Sequence, residues 1–297
     1  MLMPVYNAER YVARAVESIL AQTFRDFEFL ITDDGSTDTS LSILRSFEAR
    51  DDRIRIISRP NTGYVIALNE MLAKAQGEFI ARMDADDIAR GDRFALQMAA
   101  LRVDPSLVAV GSSVTVIDPD GFPLMTIPKP IDHEAIDAWH LTIGGGAAIC
   151  HPTVLIRASA LDKIGSYRTE YWPAEDADLF LRLAEVGRLA NLPQELLSYR
   201  FHVESVGHLH GARQRDAVYR AAVSAAERRG LPPPKDRVYS SAEEAPQTLA
   251  DNLRKWAWWA LQNGHVETAR RHARGALRAE PLSLKSWHVA LCAARGR

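Results

Sequence analysis

Glu78-Phe79-Ile80-Ala81-Arg82-Met83-Asp84-Ala85-Asp86-Asp87 is the stretch on which the fold turns. An apolar run of strand length ends abruptly in three aspartates within four residues. Crowding anions at the end of a buried strand is unfavourable unless a cation or hydrogen-bond donors compensate. A capped turn ahead of the next helix is the plain reading; a ligand site is the other.

Working outward, the neighbouring segments repeat one pattern. Met1–Val5 is an apolar strand running into Tyr6-Asn7, and Val12, Ala15, Val16, Ile19 and Leu20 then share one helical face. Phe27–Thr32 is a strand ending in Asp33-Asp34-Gly35-Ser36, and Thr37 or Asp38 caps a helix ending near Ala49. Arg53–Ser58 is a strand, Asn61-Thr62-Gly63 a turn, and Ile66, Leu68, Met71 and Leu72 mark a helix closed by Gly77. After Glu78–Met83, Asp92 begins a helix to about Val103. Strands alternating with helices predict an α/β fold with mainly parallel pairing and right-handed crossovers. Ligands in such sheets gather beyond the carboxyl ends of the strands, where the unusual polar groups lie.

Beyond Pro105 the texture changes. Leu107–Ile117 reads as one long strand or a pair, closed by Asp118-Pro119-Asp120-Gly121. Helices are expected over Ile131–Trp139, Ser159–Ile164 and from Asp176 to Gly187, with strands at His151–Arg157 and Leu196–Phe201. From Gly207 the chain reads as helical: 212–229, then 249–262, 266–279 and 282–294 after a linker at Pro232-Pro233-Pro234. The expected division is a catalytic domain over 1–206 and a helical extension over 207–297, the latter resembling a tetratricopeptide hairpin. Trp256, Trp258 and Trp259 there either pack that extension's core or face a membrane, and the core reading is preferred.

The chain has 297 residues, 47% of them hydrophobic, and a net charge of -2, which gives no general attraction to nucleic acid. Cys150 and Cys292 fit no metal or redox spacing and are expected as two buried thiols, with a disulfide as the alternative. Neither a membrane-spanning segment nor a signal peptide is legible, so the expectation is a cytoplasmic protein, with a peripheral position at the inner face of the membrane as a variant.

The acidic cluster suits a hard divalent ion, Mg2+ or Mn2+, with places left for phosphate oxygens. Asp84 and Asp86 diverge on extended backbone, so one can hold a ribose hydroxyl while the other reaches the ion. Asp33 and Asp34 can accept from a base N–H or from ribose, and Gly35 lets the backbone approach. With no dinucleotide fingerprint and no phosphate loop, phosphate charge falls to a metal or side chains. Asp176 is either a helix cap or a general base that deprotonates an attacking alcohol. His202 ends the last strand and is a metal ligand, a phosphate contact or structural. His151 is a candidate near the acceptor or a packed core residue. His208 and His210 have no assigned task.

The chain resembles family-2 glycosyltransferases of the GT-A fold. The resemblance rests on Met3-Pro4-Val5-Tyr6-Asn7, Ile31–Asp38, Arg59-Pro60-Asn61-Thr62-Gly63, Met83–Asp87, His151-Pro152-Thr153-Val154, Ala174-Glu175-Asp176 and Tyr199-Arg200-Phe201-His202. It implies that Pro4, Tyr6 and Asp34 surround the base of a nucleotide-sugar donor, that Asp84 approaches the ribose, and that Asp86 binds the metal, with Asp87 supporting the turn. It further implies Asp176 as catalytic base, Glu175 orienting the acceptor, His202 near metal and phosphate, and inversion by single displacement. The implied acceptor is an alcohol on a glycan, lipid carrier or small molecule, as in cell-envelope polysaccharide synthesis. The first strand of relatives starts several residues earlier, so either that strand is shortened here or the true start lies upstream. Two alternatives stand beside this reading: a metal-dependent nucleotidyltransferase, and a non-catalytic scaffold whose helical tail binds a protein partner.

Overall fold

A computed structural model of the chain describes residues 1–142, 148–202, 211–235 and 248–296. Gly144-Gly145-Gly146, His208 and His210 lie outside them. The first hundred residues give β1 (Leu2–Val5), α1 (Val12–Leu20), β2 (Phe29–Asp33), α2 (Ser40–Glu48), β3 (Ile54–Ser58), α3 (Tyr64–Lys74), β4 (Phe79–Ala81), β5 (Ile88–Ala89) and α4 (Arg93–Val103). β1, β2 and β3 are parallel neighbours in that order, with Val5 opposite Asp33 and Asp33 opposite Ser58. Every residue of β2 is buried, as expected of a strand covered on both faces. Thr39, not Thr37 or Asp38, holds the cap position of α2, and Asp38 just ahead of it accepts the Ser40 N–H through Oδ1 at 2.9 Å.

There follow β6 (Leu107–Ile117), β7 (Pro123–Ile127), α5 (His133–Leu141), β8 (Leu155–Arg157), α6 (Ala158–Ile164), α7 (Glu175–Leu183), β9 (Arg188–Arg200), α8 (Gly211–Arg228), α9 (Leu249–Gln262), α10 (Val266–Ala279) and α11 (Leu284–Arg295). The sheet is mixed. Parallel ladders join β1, β2 and β3, while the second set runs β4-β8-β6-β9-β5 with β7 beside β6. Just past β4, Arg82 makes a parallel bridge to Leu2 of β1, and β4 itself pairs antiparallel with β8. The alternating pattern constrains the crossovers but not which later strand fills the far edge of β4. The expected strand at His151–Arg157 is half as long, because His151–Thr153 forms a 3-10 turn with Pro152 inside it.

A continuous core holds Leu2, Leu30, Leu68, Met71, Ile80, Ala109, Ile156 and Phe180. Two wholly buried polar side chains from α4 stitch strand ends together beneath the site. Gln97 Nε2 donates to the carbonyls of Val110 and Thr153, both at 2.7 Å, and Arg93 Nη2 donates to Arg82 O at 2.8 Å.

The chain forms two compact units, residues 1–114, 128–198 and 204–237 in one, and 115–127, 199–203 and 238–297 in the other. The sequence-based boundary at 206/207 therefore differs from the division of contacts: α8 belongs to the first unit, and the β6–β7 turn to the second. In the second unit Trp256 is buried, with Trp258 and Trp259 half-buried against the same core of Val116, Leu124, Ala260, Ala273 and Val289. The tryptophans are core residues. Asp118 shapes the turn by accepting from Asp120 N–H and Phe122 N–H at 2.9 and 2.8 Å, and its other oxygen lies 2.9 Å from His272 Nε2. Cys150 and Cys292 are free thiols and only half-buried. No described helix is long and apolar enough to cross a membrane.

Candidate active site

The carboxyl ends of β1 and β2 are laced to each other. Asn7 adopts a positive φ of 47°, its Oδ1 accepts the Thr37 N–H at 2.8 Å, and its own N–H donates to Ser36 Oγ at 3.0 Å. Glu9 Oε2 accepts from Thr39 N–H and hydroxyl, and Asp38 Oδ2 from Glu9 N–H. Tyr6 stands 52% exposed at this lip, with Pro4 half-buried below it.

Asp34 is buried and has a structural task of its own. Its carboxylate accepts from Thr62 N–H at 3.0 Å and Gly63 N–H at 2.9 Å, and pairs with Arg59 Nη1 at 2.9 Å. This fastens the loop between β3 and α3 to the end of β2. Gly35 beside it has φ +76°, and a Cβ there would stand 2.6 Å from Asn61 N. Only glycine lets the two loops approach so closely.

At the end of β4, oxygens of Asp84, Asp86 and Asp87 all lie within 4.8 Å of one another. Asp84 and Asp86 are half-buried and Asp87 is buried. Arg82, only 4% exposed, grips Asp84 bidentately at 2.8 and 2.6 Å. Burial pushes the Asp84 carboxyl up, Arg82 pulls it down, and the charge of Asp86 adds to the upward push. An all-oxygen cluster with one member already paired to a cation fits a hard divalent ion, and Arg82 holds Asp84 in a fixed orientation.

The third element is the start of α7. Ala174 occupies the cap position, so Asp176 is not the helix cap that the sequence allowed; it sits in the first turn with Glu175 and Asp178. Its Oδ1 accepts the Ala177 N–H at 2.8 Å. Burial raises the Asp176 carboxyl, Arg82 lowers it, and Asp84 raises it further, which places these groups within one electrostatic neighbourhood. Glu175 is buried; Tyr64 OH donates to its Oε2 at 2.9 Å, and His151 Nδ1 lies 3.9 Å from its Oε1. Burial and the neighbouring Asp176 push Glu175 up to about 7. His151 is buried, and that burial holds its pKa far below the ordinary histidine range, so the ring is neutral. It shares a 2.8 Å hydrogen bond between Nε2 and Tyr167 OH. His151 is thus a packed residue, with its ring beside Glu175.

His202 follows β9 and falls in the second compact unit, half-buried. Its suggested place near metal and phosphate rests on the resemblance alone. Sequence reading passed over Arg82, Tyr64 and Tyr167. A lone arginine in an apolar strand beside an acidic cluster was the available signal for Arg82; nothing local marked the two tyrosines.

A family model described as glycosyl transferase family 2 matches residues 1–165. The putative glycosyltransferase EpsE of Bacillus subtilis is 35% identical over 205 residues, 67% of this chain and 72% of that protein. The chondroitin synthase of Escherichia coli is 30% identical over 261 residues, covering 88% of this chain but only 36% of that protein. Among solved structures, residues 1–349 of S. aureus TarS in complex with UDP superpose with a TM-score of 0.57 at 16% identity, covering 99% of this chain and 88% of that one. The mannosyltransferase PcManGT of Pyrobaculum calidifontis, in complex with GDP-Man and Mn2+, gives 0.56 at 20% identity, covering 99% and 78%.

Proposed function

The chain belongs to glycosyltransferase family 2, with a GT-A fold and the acidic metal site of a metal-dependent transferase, and from that premise we propose how its residues divide the work. Asp176 is the base that takes the proton from the acceptor hydroxyl as that oxygen attacks the anomeric carbon of the sugar. Asp84 accepts from a ribose hydroxyl, Asp86 holds the ion, and Asp34, Pro4 and Tyr6 border the base. Asp87 supports the turn, Glu175 and His151 line the acceptor side, and His202 approaches the phosphates.

The observation that carries this reading is the position of Asp176 in the first turn of α7, under the opposed influences of burial, Arg82 and Asp84. Burial makes its carboxylate a stronger base than one in water. The Ala177 N–H, Arg82 and the positive end of the α7 dipole oppose that rise. The Arg82 fork leaves Asp84 oriented, with lone pairs remaining for a hydroxyl donor. A divalent ion, Mg2+ or Mn2+, held by Asp86 would neutralise the diphosphate as it leaves. Displacement from the face opposite the diphosphate inverts the anomeric carbon.

The donor is a nucleoside diphosphate sugar, and the acceptor we infer is a hydroxyl of a glycan, a lipid-linked glycoconjugate or a small molecule, met on the cytoplasmic side. Support for a polysaccharide-type acceptor comes from the chondroitin synthase among the relatives. For the α9–α11 segment we infer a tetratricopeptide-like hairpin. The test is Asp176→Asn. Loss of transfer by about a thousand-fold or more with donor binding retained is expected; transfer at wild-type rate would remove Asp176 from the reaction.

A further inference from the structure

We propose that α11, with the adjoining face of α10, is a surface that docks on an anionic membrane. Leu284, Trp287 and Leu291 are 86, 58 and 51% exposed, and Leu282 just ahead of the helix is 95% exposed. Spacings of three and four residues bring Leu284, Trp287 and Leu291 onto one stripe, while Ser286, Val289 and Ala293 face inward and are buried. Trp287 is not a loose side chain: its Nε1–H donates to Pro281 O at 2.8 Å. An apolar stripe left in water along a whole helix is a contact surface lacking its contact.

Charge selects the occupant. Residues 266–297 contain seven arginines and lysines against Glu267 and Glu280, a net of +5, whereas the entire chain carries -2, leaving -7 for the rest. Glu267 and Glu280 are already paired, with Arg270 and Arg254. Arg274 and Arg278 on α10 and Lys285 and Arg295 on α11 are exposed, and no ion pair to them occurs among the described residues. The apolar stripe is thus rimmed by cations with no acid to answer them. A second copy packed two-fold on this face sets the same cationic rim against itself. An anionic bilayer satisfies both features: leucine and tryptophan enter the interfacial layer, and the rim meets headgroup phosphates. The three core tryptophans of α9 take no part. Nothing in this surface depends on the transfer chemistry.

Co-sedimentation of the full chain with vesicles tests it, using phosphatidylcholine alone and phosphatidylcholine mixed with phosphatidylglycerol. Expected is pelleting with the anionic vesicles only, weakened by salt. Arg278→Glu and Lys285→Glu should each weaken it about five-fold or more, and Trp287→Ala with Leu291→Ala should abolish it. All four side chains are exposed, so unchanged thermal melting is expected alongside. Absence of pelleting at low salt overturns the proposal, as does equal binding to neutral vesicles or wild-type binding by the variants. A dimer dissolved by Trp287→Ala, without vesicle binding, would replace it with a second copy. Capture by soluble polyglutamate without vesicle binding would replace it with an acidic protein.

Discussion

Arg82→Met separates two roles that one buried cation performs. The guanidinium is 4% exposed and makes two charge-assisted bonds to Asp84, at 2.8 and 2.6 Å. Methionine keeps much of the length of the side chain and removes the charge. Breaking an enclosed pair costs about 3–5 kcal/mol. The Asp84 side chain is 32% exposed and can regain some water, so about 2 kcal/mol is expected in urea unfolding. The second effect concerns Asp176, which burial raises and Arg82 lowers. Removing the cation takes away one of the influences that oppose burial, the Ala177 N–H remaining as another, so the Asp176 carboxyl rises further and the base is protonated over more of the pH range. The acid limb of kcat/KM, followed by donor-dependent release of nucleoside diphosphate, should move to higher pH. Arg82→Lys should restore most of the limb but not the bidentate grip, and so only part of the stability. An acid limb that stays in place in Arg82→Met, with the stability loss present, would show that Arg82 is structural only.

Gly35→Ala should cost about 2–4 kcal/mol in urea unfolding, since φ is +76° and the new Cβ would meet Asn61 N at 2.6 Å; a neutral change would contradict the close approach of the two loops. Glu175 is raised from 4.5 to about 7, so between those values the folded state binds the extra proton and stability falls as pH rises. Glu175→Gln should therefore match the wild type near pH 4 and exceed it by about 2 kcal/mol above pH 7 in metal-free melts. Asp118, drawn below its ordinary range despite burial by the hydrogen bond from His272 and by backbone donors, contributes stability that is present above the unfolded carboxylate pKa and lost as pH falls. Asp118→Asn should flatten that acid-side loss in the melting of the second unit. Asp86→Asn should weaken Mn2+ binding by about ten-fold or more in calorimetry, with the fold intact.

What could be read from the sequence followed from periodicity and from charges placed against it. Helix α1 was legible from its period: Val12, Ala15, Val16 and Ile19 are the side chains it buries, and Leu20 of the same expected face is half-buried. β5 was not: at two residues it has no period, and it exists through pairing with β9 and a bond from Ala89 N–H to Ser18 Oγ. The antiparallel join of β4 to β8 was hidden for the same reason, being a contact between segments far apart along the chain. In the site, the acidic triplet and Asp176 announced themselves as anions in apolar surroundings. Asp34 also did, but its bonds to Thr62, Gly63 and Arg59 depend on a loop that only the fold brings near. Tyr64 and Tyr167 are ordinary until Glu175 and His151 are set against them.

The central claim is that a nucleotide-sugar is cleaved between the anomeric carbon and the diphosphate oxygen, with the ion at the acidic triplet. The most direct measurement incubates the wild type and Asp86→Asn with a panel of uridine, guanosine and thymidine diphosphate sugars, with and without Mn2+, and identifies the phosphorus product by nuclear magnetic resonance. Nucleoside diphosphate is expected from at least one donor, dependent on Mn2+ and lost in Asp86→Asn. Pyrophosphate as the product, or nucleoside diphosphate released equally by Asp86→Asn without metal, would contradict it.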